Sequence, residues 1–173
     1  MSGYKLGAKS LANMAHLHPT MVKLAHAAIA RSTVDWGFTE PLTRTKQQQA
    51  EKVRLGFSKT MNSNHLIKPD GYGHAVDCVP WIQGAFTWGE NKFGWPVTYP
   101  DGTVRYPFFE IAAAWREVAI EAGQAVVWGG VWDRDLRTLP PGWGGMRSAM
   151  LAYNERHAGR DWNDGPHMQL GAP

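Results

Sequence analysis

The segment Ala75-Val76-Asp77-Cys78-Val79-Pro80 sets one carboxylate in the middle of an apolar run. Such a run reads as buried strand, where a carboxylate is costly unless it is paired, hydrogen-bonded or bound to a cation. Any fold of this chain must therefore bring a partner to Asp77. Strand side chains alternate, so Ala75, Asp77 and Val79 share one face while His74, Val76 and Cys78 share the other. His74 should point away from Asp77. His65, in the turn-rich loop Met61-Asn62-Ser63-Asn64-His65-Leu66, is the nearer partner. The same alternation turns Cys78 away as a core residue rather than a nucleophile, since free cysteine is among the most buried residue types.

Around this strand the periodicities alternate between helical and extended. Met21, Leu24, Ala25, Ala28 and Ile29 mark one helix face behind Pro19-Thr20, with a shorter helical piece around Ser10 to His16 leading into it. Val34 to Glu40 reads as a strand with a weak point at Gly37. Thr45 and Gln48 form a capping box that opens a helix reaching about Leu55 and stopping at Gly56. This places Arg44 where a strand-exit loop meets a helix N-terminus, a junction that presents side chains to clefts. Pro69-Asp70-Gly71 is a turn, and His74 to Pro80 a buried strand. Phe108, Ile111, Ala112, Trp115, Ala119 and Ala122 predict an amphipathic helix ended by Gly123. Ala125 to Trp128 is a short strand. Pro140-Pro141-Gly142 breaks the chain before a helix with Met146, Ala149, Met150 and Tyr153 on one face, and Pro166 to Leu170 is a closing strand. Helices and strands mix without regular βαβ alternation, which selects the α+β class.

Composition narrows the partners. A length of 173 residues suits one domain, 1–173, with a real core, and 43% hydrophobic against 19% charged residues suits a folded chain. Nine tryptophans fit either a Trp-rich core or an open binding cleft. The net charge of +3 is dispersed, with no basic run and no interleaving of basic and aromatic residues, so nucleic acid is not an expected partner. One cysteine excludes an internal disulfide framework and a Cys-rich zinc site. Met1 to Leu11 lacks an apolar stretch of signal-peptide length. No run approaches the ~20 apolar residues of a membrane span, so stable membrane insertion is not expected.

Of the seven histidines, His16, His18, His26 and His157 have bland explanations at helix ends or on polar faces. The C-terminal Asp164-Gly165-Pro166-His167 is different. The Gly-Pro turn could set an acid beside a histidine ligand. His65, Asp77 and His167 together offer three ligands of a type that catalytic zinc takes while keeping one position open. Asp164 would then be positioned to carry protons, and Arg44 to steady developing negative charge on a substrate oxygen.

Four motifs occur in the order of a known family: Thr43-Arg44-Thr45 with Gln48, Ser63-Asn64-His65, Gly73-His74-Ala75-Val76-Asp77, and Asp164-Gly165-Pro166-His167. With them the chain resembles the zinc D-alanyl-D-alanine carboxypeptidase and L-alanyl-D-glutamate endopeptidase family, and within it the phage endolysins. The resemblance implies a small α+β domain whose antiparallel sheet carries a zinc site and is flanked by helices. It makes His65, Asp77 and His167 the zinc ligands, Asp164 the catalytic acid/base and Arg44 the substrate-binding arginine. Ser63 supports the ligand loop and contributes to substrate binding. The chain departs from the pattern in the added Lys68-Pro69-Asp70-Gly71, in Val131 where several relatives carry an acid, and in the long region from Trp132 to Arg160.

The expected activity is Zn2+-dependent cleavage of the L-alanyl-D-glutamate bond in peptidoglycan stem peptides during host-cell lysis. The chain would act as a monomer, without a separate wall-binding domain. It would be held in the host cytoplasm until a separate membrane-hole protein releases it to the wall. The alternatives are a D-alanyl-D-alanine carboxypeptidase or dipeptidase, and a non-catalytic zinc-containing wall-binding module.

Overall fold

Helix starts and stops in this chain follow local chemistry. The computed structural model describes residues 3–158 and 162–171. Helix α1 (Ala8–Asn13) leads into α2 (Pro19–Arg31), which carries proline at its first position and buries Met21, Leu24, Ala25, Ala28 and Ile29. The short strand β1 (Trp36–Gly37) follows. Helix α3 (Lys46–Arg54) opens with the expected box: the Gln48 N–H donates to Thr45 Oγ1 and the Thr45 N–H donates to Gln48 Oε1.

Strands β2 (Ala75–Asp77), β3 (Val79–Ile82), β4 (Ala85–Phe86), β5 (Val97–Thr98) and β6 (Val104–Arg105) precede helix α4 (Pro107–Glu121). Gly123, at φ +63°, terminates α4 in a left-handed conformation that residues with a Cβ adopt at a cost. Strands β7 (Val126–Trp128) and β8 (Val131–Asp135), helix α5 (Gly142–Arg156) and strand β9 (His167–Leu170) complete the described chain.

The fold is α+β. A four-stranded antiparallel sheet runs in the order β2-β9-β7-β8, with β1-β3-β4 and β5-β6 as smaller antiparallel sheets. Helix α4 lies between α2 and α5 and buries Phe108, Phe109, Ile111, Ala112, Trp115, Val118 and Ala119. Its inner face joins Trp36, Phe38, Val76, Trp128 and Met168 in one core. Among the described residues, no helix is long and apolar enough to cross a membrane.

Two strand expectations change. Only Trp36–Gly37 of the 34–40 stretch is strand. Val34, Trp36 and Phe38 are all buried, but the backbone is satisfied by side chains: Phe38 N–H donates to Ser10 Oγ, and Asn13 Nδ2 donates to Phe38 O. The expected single strand 74–80 is two. Chain pairing switches at Cys78, whose N–H donates to Pro166 O, so β2 joins β9 while β3 joins β1. Cys78 itself is fully buried, and burial pushes its thiol pKa well up.

Candidate metal centre and cleft

The pairing of β2 with β9 sets Asp77 directly opposite His167, 90 residues away in sequence. His65 reaches the same point from a loop held at both ends. The Arg44 N–H donates to His65 O, and the His74 N–H to Asn64 O. Ser63, also buried, accepts the His65 N–H on its Oγ at 3.2 Å.

Around a tetrahedral cation with bonds of about 2.0–2.1 Å, ligand atoms stand about 3.3 Å apart. Here His65 Nε2 lies 3.3 Å from His167 Nδ1 and 3.2 Å from Asp77 Oδ2, and His167 Nδ1 lies 3.2 Å from Asp77 Oδ1. The outer nitrogens set the tautomers. His65 Nδ1–H donates to the Leu42 carbonyl at 2.7 Å, and His167 Nε2–H donates to Gln169 Oε1 at 3.0 Å. The inward nitrogens are then left to face a cation, as metal ligation requires, or to carry a proton shared with Asp77. Two lone pairs and two carboxylate oxygens converging at this spacing repel one another unless a cation or proton sits among them. His65, Asp77 and His167 thus form a group able to hold a metal ion.

The titration behaviour of the metal-free protein follows from the same crowding. Burial opposes ionisation of Asp77, yet the charges and hydrogen bonds of His65 and His167 hold its pKa well below the usual carboxylate range. Burial would likewise lower His167. The hydrogen bond and charge of Asp77, helped by Asp164, outweigh it and raise the His167 pKa. Asp164 behaves oppositely to Asp77: burial, then the Asp77 charge, pushes its pKa up to about 6, against the pull of His167 and Arg44.

Asp164 is held by backbone approach. Its N–H donates to Gly129 O, the Gly129 N–H donates to His167 O, and Trp128 Nε1 donates to Gly165 O. A Cβ on Gly129 would stand 2.3 Å from Asp164 O, and one on Gly165 would enter the Trp95 ring at 2.4 Å. Backbone packs on backbone at Gly129, which requires glycine there, while Gly165 packs against the Trp95 ring. Gly129→Ala is accordingly expected to displace the Asp164 turn and lower turnover by about 10²-fold, with about 1–3 kcal/mol of stability lost to overpacking. Steady-state rates and thermal unfolding check this, and full activity in the variant would show that the turn needs no such contact.

Arg44 is mostly buried. Its guanidinium donates to Asp77 Oδ2 at 3.1 Å and to Gln49 Oε1 and Glu40 Oε1 at 3.4 Å each. Gln49 is fully buried in α3 and also donates to Ser58 Oγ and Thr60 O, joining the arginine to the cleft wall. Sequence reasoning passed over Gln49, Gln169 and the Leu42 carbonyl. The run Lys46-Gln47-Gln48-Gln49 looks uniformly polar, and a backbone carbonyl has no sequence signal.

Two cavities share part of their lining beside the metal group. One, of about 470 Å³, passes Asn62, Lys59, Trp132 and Trp162. The other, of about 450 Å³, passes Thr39, Lys52, Trp88 and Pro166. Arg44, Phe57, Asp77 and Asp164 line both. Region 132–160, of which residues 159 and 160 lie outside the described part, builds one wall of the first cavity. Trp132 stacks on Trp162 with ring centres 5.5 Å apart and covers His167 at 5.1 Å, while Tyr153 arrives from α5. His74 stands apart from Asp77 and pairs with Asp70.

The chain is similar to known peptidases. The L-alanyl-D-glutamate peptidase of Escherichia phage T5 is 28% identical over 97 residues, covering 54% of this chain and 66% of that protein, just under two thirds of its length. The crystal structure of the Serratia marcescens L-Ala D-Glu endopeptidase ChiX superposes with a TM-score of 0.62 at 27% identity, over 98% of this chain and 91% of the other. The sequence profile described as phage L-alanyl-D-glutamate peptidase matches residues 1–139, which include Arg44, His65 and Asp77. Spanning most of the chain, that match shows that it belongs to the phage L-alanyl-D-glutamate peptidase family.

Proposed function

We propose that this chain is a zinc-dependent peptidoglycan hydrolase that cuts the L-alanyl-D-glutamate bond of stem peptides. The observation that carries the reading is that the cleft holding His65, Asp77 and His167 shares Arg44, Asp77 and Asp164 with a second cavity. Two cavities with Arg44, Asp77 and Asp164 in common suit a peptide that continues past the metal group, as an endopeptidase needs. A carboxypeptidase needs a closed end that binds a terminal carboxylate. Family membership and the likeness to ChiX support the same bond specificity.

His65, Asp77 and His167 would hold the zinc, the donor set and spacing both suiting it. When bound, zinc supplies a water acidic near pH ~7 and a Lewis acid for the scissile carbonyl. The protein's own residues do the rest. Asp164, ionised above about pH 6 in the metal-free protein, takes a proton from the attacking water and delivers it to the departing amine. Arg44 lies between the cavities, where its guanidinium steadies negative charge developing on the carbonyl oxygen. Ser63 fixes the His65 backbone and lines the substrate cleft. Trp132 and Trp162 screen His167 from water on one side. The proposal also includes action as one monomeric domain over 1–173 in host-cell lysis, with release to the wall through a separate membrane-hole protein.

Digestion of purified peptidoglycan with zinc-loaded protein, read by mass spectrometry, tests this. New L-alanine carboxyl ends on the glycan side, with peptides beginning in D-glutamate, are expected. Release of D-alanine alone would move the chain to the carboxypeptidase class, and intact wall polymer would leave a non-catalytic wall-binding module.

A further inference from the structure

A second His-Asp-His group lies outside the cleft. His18, Asp70 and His74 each offer a ligand atom, all within 4.8 Å of one another, and the group is partly open to solvent. The residues come from two segments locked by backbone. His18 N–H donates to Gly73 O, Gly73 N–H donates to His16 O, and Leu17 bridges Gly73. Asp70 is oriented from both sides. Its Oδ1 accepts the Tyr72 N–H at 3.1 Å, which leaves Oδ2 on His74 Nε2 at 2.7 Å. The two imidazoles face each other edge-on with centres 5.0 Å apart, and Tyr72 closes one side of His18.

We propose that His18, Asp70 and His74 form a second, structural site for a divalent transition cation such as zinc. The two imidazoles are borderline donors that favour such ions over calcium or magnesium, and the carboxylate adds a negative charge. Solvent fills the remaining positions, because the group is half-open rather than sealed. Ligation must displace the proton that His74 Nε2 shares with Asp70 and disturb the Thr20 N–H that His18 Nδ1 accepts, so this site binds more weakly than the cleft group. Its position gives it a role. The His74 N–H donates to Asn64 O and the His74 carbonyl accepts the Leu170 N–H, so the His74 backbone touches the segments that carry His65 and His167. A cation here ties the start of α2 to that backbone and braces the cleft from behind.

The test is zinc stoichiometry by equilibrium dialysis and elemental analysis on folded proteins, with folding checked by circular dichroism. Wild type is expected to hold about two equivalents. His74→Ala and the gentler Asp70→Asn should each hold about one. The double variant His65→Ala/His167→Ala should also hold about one, which is lost when His74→Ala is added. In the double variant, zinc should shift the His18 and His74 ring resonances. A double variant that takes up no zinc, or a second equivalent that survives both His74→Ala and Asp70→Asn, overturns the second site. Failure of the cleft assignment looks different, because zinc content then stays unchanged when His65 and His167 are removed.

Discussion

Asp164→Asn is expected to lower peptide-bond cleavage by about 10²–10⁴-fold while leaving zinc content unchanged, the loss typical of removing a positioned acid/base. The same variant should be more stable than wild type in the metal-free state at neutral pH. An ordinary aspartate titrates near ~3.9, and burial and Asp77 raise Asp164 to about 6. A carboxyl whose folded pKa lies above its unfolded value destabilises the fold wherever it is forced to ionise. The cost is complete above pH ~6, shrinks between pH ~6 and ~4, and is gone below pH ~4, where both states are protonated. Removing it should give about 1–3 kcal/mol at pH 8, discounted for partial exposure of the side chain. Thermal unfolding of the chelated proteins at pH 8 and pH 4 reads this directly. A variant less stable than wild type at pH 8 would mean that the Asp164 carboxylate makes a contact the fold depends on. Normal hydrolysis would remove it from the mechanism.

His65→Ala and His167→Ala are each expected to lose cleft zinc and hydrolysis together. Several kcal/mol of transition-state stabilisation disappear with the metal, a rate loss on the order of 10³-fold or more. Chelation of wild type should produce the same loss, reversed by added zinc, whereas added zinc should not rescue either variant at micromolar concentration. Each substitution also removes one partner of Asp77, leaving the other histidine and Arg44 beside it. The expected reading is therefore a folded protein with altered acid stability and no turnover. Stoichiometric cleft zinc with normal rates in either variant would refute the ligand assignment.

Much of the helical structure was legible because its causes are local. The Thr45/Gln48 box, the proline opening α2 and the glycine after α4 act within a few residues of themselves. The periodic apolar residues of α2, α4 and α5 face the core as their spacing predicts, except Ala122, which follows the end of α4 and is exposed. Strands were less legible. Val34, Trp36 and Phe38 alternate like strand, but extended backbone becomes strand only when a partner ladder reaches it. Here Ser10 and Asn13 side chains take those bonds instead. The run from His74 to Pro80 divides because Cys78 bonds to Pro166, a pairing that no window of local sequence contains.

For the site, the sequence by itself determined which residue types were at hand. A carboxylate stranded in an apolar run needed a partner, and the Gly-Pro turn before His167 could set an acid beside that histidine. Only the tertiary structure decided their geometry. The antiparallel register of β2 on β9 sets Asp77 across from His167, and the Leu42 carbonyl and Gln169 choose which nitrogens face inward. The close approach at Gly129 fixes where Asp164 stands. Long-range register depends on which strands and side chains satisfy one another across the folded chain, whereas caps, turns and helix faces depend on neighbours already present in the sequence.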